Sequence, residues 1–202
     1  MMDITLKGIG LKFETAPTNF SPNKVDSGTL AMLSVTEFSK KDKILDLGCG
    51  YGVVGILAAA LAGRENVILC DISECAVRQA KINAELNHLS GLDIRLSDGF
   101  SHVPEEDFTL ILSNPPYHAD FSTARRFIEG AFKKLAVGGR IIMVTKRREW
   151  YKNKLISTFG GVRIQEINGY YVFIAEKRSG MVRKKEKKAP ALSRKLQRRQ
   201  RE

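Results

Sequence analysis

Four side chains of this 202-residue chain stand out because each closes or follows an apolar run: Asp46 in KILDLGCGYG, Asp71 in LCDIS, Asp98 in SDGF and Asn114 in SNPPYH. Behind Asp46 come Gly48, Cys49, Gly50 and Gly52, then a hydrophobic stretch. Glycines at that spacing let the backbone turn tightly and approach a ligand where a Cβ would intrude. Asp71, 21 residues beyond Gly50, is placed to accept hydrogen bonds from both ribose hydroxyls of a nucleoside. Taken singly, each Asp also suits a helix cap or a turn. Their shared position at strand ends predicts a nucleoside site. A dinucleotide would bring an anionic pyrophosphate up to Asp46, which disfavours NAD; a ligand carrying a sulfonium and an ammonium suits that carboxylate better.

The second constellation is Asn114-Pro115-Pro116-Tyr117. Consecutive prolines hold the chain extended and leave their carbonyls free to accept hydrogen bonds. The side-chain oxygen of Asn114 and the Pro115 carbonyl would then take both protons of a planar NH₂, while Tyr117 offers a ring face to a base. Such chemistry needs no strong base, because alignment and stabilisation of the nascent positive nitrogen drive an in-line methyl transfer and the proton leaves afterwards. His118 suits contact with the base or with RNA, and equally a satisfied loop position.

To place these groups on one edge, the chain needs parallel strands alternating with helices, and the Val/Ile/Leu-rich runs supply the pattern. Strands are predicted over 43–47, 67–71, 94–97, 109–113 and 140–145, and helices over 28–38, 53–62, 74–86, 123–135 and 149–159. Two further runs, 163–168 and 170–176, flank Gly169 and predict a terminal antiparallel hairpin. The expected fold class is α/β: one Rossmann-like domain with a seven-stranded, mostly parallel sheet and helices on both faces. Gly138-Gly139 is expected to close the helix ahead of the fifth strand, and Ser73 to cap the helix that Glu74 begins.

The motifs DLGCGYG, LCDIS, SDGF and SNPPYH together resemble those of class I S-adenosylmethionine-dependent methyltransferases. That resemblance implies S-adenosylmethionine as cofactor, with Asp46 and the Gly48–Gly52 loop at its methionyl end, Asp71 at the ribose, and Asp98 with Gly99 at the adenine. Ile72 and Phe100 would pack on the adenine ring, and Asn114 would lie against both cofactor and acceptor. The NPPY segment is similar to that of amino-group methyltransferases acting on adenine, guanine or protein glutamine. Joined to FSPNKVDSGTLAML, it resembles the catalytic domain of the bacterial 16S ribosomal RNA guanine-N2 methyltransferases. On that likeness Phe20, Ser21, Lys24 and Asp26 belong to a lid or the cofactor entrance. The duplicated N-terminal domain of longer members is absent from this sequence, and Tyr117 stands where Phe is frequent.

The resemblance implies methylation of an exocyclic amine in RNA, with guanine N2 of ribosomal RNA ahead of transfer RNA, protein glutamine and a noncatalytic RNA-binding role. The charge balance agrees: 33 basic against 22 acidic residues give +11, of which +10 lies in 177–202, so the body 1–176 carries only +1. A methyltransferase domain over 1–176 and a basic, flexible tail over 177–202 are therefore expected, with RNA or a ribosomal subunit as partner. Lys146, Arg147 and Arg148, followed by Trp150 and Tyr151, form a second candidate RNA contact, although Trp150 would serve the core equally well. Cys49, Cys70 and Cys75 form no disulfide or metal pattern and read as packing residues, which suits reduced cytoplasm. No apolar run suggests a membrane span or an export signal.

Overall fold

The computed structural model describes residues 1–15, 24–115 and 121–179. Nine strands and five α-helices succeed one another: β1 (Met2–Leu6), β2 (Ile9–Phe13), α1 (Ser27–Val35), β3 (Ile44–Leu47), α2 (Val53–Ala62), β4 (Val67–Asp71), α3 (Glu74–Leu86), β5 (Asp93–Leu96), β6 (Phe108–Ser113), α4 (Phe121–Lys134), β7 (Leu135–Thr145), α5 (Arg148–Phe159), β8 (Arg163–Ile167) and β9 (Tyr170–Glu176). Seven of the strands form one sheet in the order β5-β4-β3-β6-β7-β9-β8. The first five are parallel, and β9 pairs antiparallel with both β7 and β8. The expected α/β class, strand number and terminal hairpin are all present.

Alternation along the strands divides the core in two. Ile44, Leu69, Leu110, Ile142 and Val172 point to one face, where residues of α1, α2 and α3 cover them. Leu45, Leu47, Ile111, Met143 and Phe173 point to the other, under α4 and α5. Asp46 sits one residue from Leu45 and Leu47 and so turns toward the α2 side, buried to 2% exposure. Gly55 lets α2 settle closely on the sheet: a Cβ there would lie 2.2 Å from Leu69 Cγ.

The Asn168-Gly169 turn joins β8 to β9 with positive φ at both residues, the primed geometry of a two-residue hairpin. Lys7-Gly8 makes the same turn between β1 and β2, a two-stranded ribbon that the sequence pattern did not predict. The ribbon lies against α2 and α3. Asn87, which caps the end of α3, accepts from Lys12 N–H at 2.9 Å and donates to Lys12 C=O at 2.7 Å. One turn earlier, Asn83 does the same for Glu14 at 2.7 and 3.0 Å.

Two expected boundaries change by more than two residues, the end of α1 and the start of β7. Helix α1 ends at Val35, three residues short of the expected 38, with Thr36 Oγ1 donating to Met32 C=O at 2.8 Å. Gly138-Gly139 does not close α4. The helix ends at Lys134 and β7 begins at once, with Gly138 at φ 86° forming a break in register against β6. Gly138 N–H donates to Lys177 C=O at 2.8 Å and Lys177 N–H to Gly139 C=O at 2.9 Å, so the break is tied to the end of β9.

Candidate active site

The carboxyl ends of β5, β4, β3 and β6 lie side by side, so Asp98, Asp71, Asp46 and Asn114 follow one another across the sheet. Neighbours β4 and β6 flank β3 on opposite sides, which makes this the switch point where open α/β sheets bind ligands. A cavity of about 430 Å³ opens there, lined by all four residues and by the glycine loop.

The loop is held from both sides. Gly48 and Cys49 donate their N–H groups to Cys70 C=O at 2.9 and 3.0 Å, which keeps the loop on the end of β4. Gly50 N–H donates to one oxygen of Asp71 at 2.9 Å, and Ser73 N–H to the other at 2.9 Å. Gly48, Gly50 and Gly52 all have positive φ, a conformation that costs a side-chain-bearing residue. Gly52 is not part of the lining; it starts α2 and packs beside Ile56 and Ala80.

Asp46 accepts from Gly55 N–H in the first turn of α2 at 2.8 Å. Burial pushes its pKa up to about 7, Asp71 adds to the rise, and the Gly55 hydrogen bond opposes it. A cationic ligand group in the cavity would relieve this. The same burial raises the Cys49 thiol well above its ordinary range and Cys70 to about 12, so neither is a nucleophile at neutral pH.

Ile72 is 68% exposed at the rim, an aliphatic surface beside Asp71. Asp98 accepts from Arg126 Nη1 of α4 at 2.7 Å, and this guanidinium holds its pKa below the usual carboxylate range. Gly99 lines the cavity, but Phe100 turns away: its ring packs against Gly130 of α4, where a Cβ would come within 2.4 Å. Asn114 Nδ2 donates to Asp26 Oδ2 at 2.8 Å and to Thr29 Oγ1 at 3.0 Å. Pro115 also lines the cavity. Pro116, Tyr117, His118, Phe20 and Ser21 lie outside the described residues; Lys24 is exposed and absent from the lining.

Spacing along the chain did not single out Val25, Tyr51, Ser73, Thr123, Arg126 or Phe127, which complete the wall. Val25 precedes α1, Tyr51 belongs to the glycine loop, Ser73 caps α3, and Thr123, Arg126 and Phe127 lie on α4.

Beside Asn114, the end of β7 carries cations over rings. Lys146 Nζ lies 4.9 Å from the Tyr170 centroid, Arg147 Cζ 4.9 Å from Phe121 and Arg148 Cζ 5.9 Å from Tyr171. Trp150 stacks on Phe121 at 4.3 Å. Tyr151 instead belongs to the core, stacked on Phe173 at 5.8 Å.

The donor set fits S-adenosylmethionine. The buried Asp46 suits the methionyl ammonium, Asp71 retains acceptor capacity for ribose hydroxyls, and Asp98 with Ile72 suits an adenine edge and face. The fold is that of a class I S-adenosylmethionine-dependent methyltransferase domain. Residues 10–174 match the methyltransferase small domain, and the chain belongs to that family.

The chain is 32% identical over 165 residues to "Ribosomal RNA small subunit methyltransferase C" of Serratia proteamaculans, covering 80% of this chain and 47% of the relative. It is 36% identical over 154 residues to the protein so named in Klebsiella pneumoniae, covering 74% and 44%. A solved structure, the T. thermophilus 16S rRNA N2 G1207 methyltransferase in complex with AdoMet and guanosine, superposes with a TM-score of 0.75 at 26% identity, over 88% of this chain and 50% of that one. The chain thus spans about half the length of these relatives. Among the described residues no helix is long and apolar enough to cross a membrane.

Proposed function

We propose that this protein methylates the exocyclic N2 amine of a guanine in ribosomal RNA, using S-adenosylmethionine. When bound, that cofactor supplies an electrophilic methyl group on a sulfonium. The chain's own residues do the rest by placement. Asp46 and Asp71 hold charge and ribose, and the Asn114 side-chain oxygen with the Pro115 carbonyl accept from the NH₂ group, turning its lone pair toward the methyl. These acceptors also stabilise the nitrogen as it becomes positive.

The observation that carries the reading is Asn114 at the end of β6 beside Asp46 on β3, in a chain whose relatives are named for ribosomal RNA methylation. The ringed cations Lys146, Arg147 and Arg148 lie at the same sheet edge and suit an RNA backbone with unstacked bases. A paired guanine must leave its stack to reach such a cavity. Incubation of unmodified ribosomal RNA and subunits with the protein and labelled cofactor, followed by nucleoside mass spectrometry, is expected to yield N2-methylguanosine. Label appearing only in adenosine, transfer RNA or glutamine would reject the proposed acceptor.

A further inference from the structure

Asn114 is not free to turn. Its Nδ2 faces Asp26 Oδ2 at 2.8 Å and Thr29 Oγ1 at 3.0 Å, both from the start of α1 and more than 80 residues away in sequence. A carboxylate only accepts, so the amide must present nitrogen to Asp26, and its oxygen is left for another donor. The same Asp26 oxygen accepts from Thr29 N–H at 2.9 Å and so caps α1. Gly28 leaves room for it, since a Cβ there would lie 2.9 Å from Asp26 Oδ2 and 2.8 Å from Tyr170 Cε1. Helix α1 in turn packs on β7 and β9.

From this geometry we infer that Asp26 is a positioning residue for methyl transfer, holding Asn114 in the one amide orientation that offers oxygen to the acceptor amine. The inference rests on the acceptor role given to Asn114 above. Turned the other way, Asn114 would present an NH₂ to the substrate's NH₂, two donors face to face, and the amine would lose one of its aligning partners. Thr29 assists as a second acceptor for the amide nitrogen.

Capping and orientation are separable. Serine is as good a helix N-cap as aspartate but is too short to keep its oxygen on both Thr29 N–H and Asn114, whereas asparagine reproduces the oxygen where Oδ2 stands. Three proteins, wild type, Asp26→Ser and Asp26→Asn, are compared on ribosomal RNA under saturating cofactor. We expect Asp26→Ser to melt within a few degrees of wild type, to bind S-adenosylmethionine within a few-fold of wild type, and to lose roughly 10- to 100-fold in kcat at saturating cofactor with KM for RNA little altered. Asp26→Asn recovers most of that rate. In the protein without RNA, the two Asn114 side-chain amide protons, resolved by nitrogen-15 labelling, should shift in the serine variant and stay near the wild-type position in the asparagine variant. Unchanged kcat in a folded Asp26→Ser protein overturns the positioning role while leaving the acceptor reading intact. Equal loss in Asp26→Ser and Asp26→Asn, with Asn114 amide signals unmoved, also overturns it. A wild-type protein that methylates no amine removes the acceptor reading and this inference with it.

Discussion

Asp46 carries a cost in the protein without ligand. The folded state keeps its carboxyl protonated up to about pH 7, whereas in the unfolded chain it ionises near 3.8. Between those values the unfolded state has released a proton that the folded state retains, so stability falls as pH rises through the window, by up to about 4 kcal/mol. Asp46→Asn should flatten that part of the profile in chemical denaturation. A cationic ligand draws the pKa back down, so cofactor binding at pH 6 is expected to release a proton. Calorimetry in two buffers of different ionisation enthalpy reads this directly, and equal heats would refute the assigned contact. Asn114→Ala is expected to keep cofactor affinity within a few-fold and lose at least ~100-fold in transfer rate, measured by single turnover. The carboxylates and Asn114 were legible because each ends an apolar run. The pairs Asp26 with Asn114 and Asp98 with Arg126, 88 and 28 residues apart, leave no spacing to read.

At the scale of elements, Asn83 joins three parts of the molecule. It is fully buried, exchanges two hydrogen bonds with Glu14, and also donates to Tyr51 C=O in the glycine loop at 2.9 Å. Replacing it by alanine leaves backbone groups of the ribbon and the loop without partners inside the protein. We expect Asn83→Ala to cost about 2–3 kcal/mol in denaturant unfolding and to weaken S-adenosylmethionine binding. Asn87→Ala, on the more exposed turn, should cost less and leave the cofactor's affinity alone. The parallel strands and their helices were readable from apolar runs with capping signals, such as Ser73 accepting from Ala76 N–H at 3.3 Å. The ribbon was not, because Lys7-Gly8 is a weak turn signal and β1 and β2 are five residues each with charged outward positions. Gly138-Gly139 misled for a related reason: paired glycines mark a helix end or a strand irregularity equally well, and only the pairing with Lys177 decides.

Across the whole molecule, charge is concentrated at one end of the sequence. The body over 1–176 is nearly neutral and 177–202 carries +10. Lys177 belongs structurally with the body, through its pairing with Gly139 and through its ammonium, which donates to Leu135 C=O beyond the end of α4. A chain cut after Ser179 therefore keeps the pairing of β9 with β7 and β8 and is expected to retain its melting temperature and cofactor binding. Its RNA affinity should fall, and the slope of log affinity against log salt should flatten by several units. An unchanged slope would assign the phosphate contacts to Lys146, Arg147 and Arg148 instead.

Asn83 of α3 and Asn87 at its end act toward β2 and the residue after it as a neighbouring strand would, meeting Lys12 and Glu14 with donor and acceptor alike. A two-stranded ribbon ordinarily opens often enough for its amides to exchange quickly with solvent deuterium. Here the Lys12 and Glu14 amides can exchange only when α3 lets go. Their protection should therefore match that of the helix rather than that of the Lys7-Gly8 turn, and it should deepen when a ligand steadies the loop that Asn83 also holds.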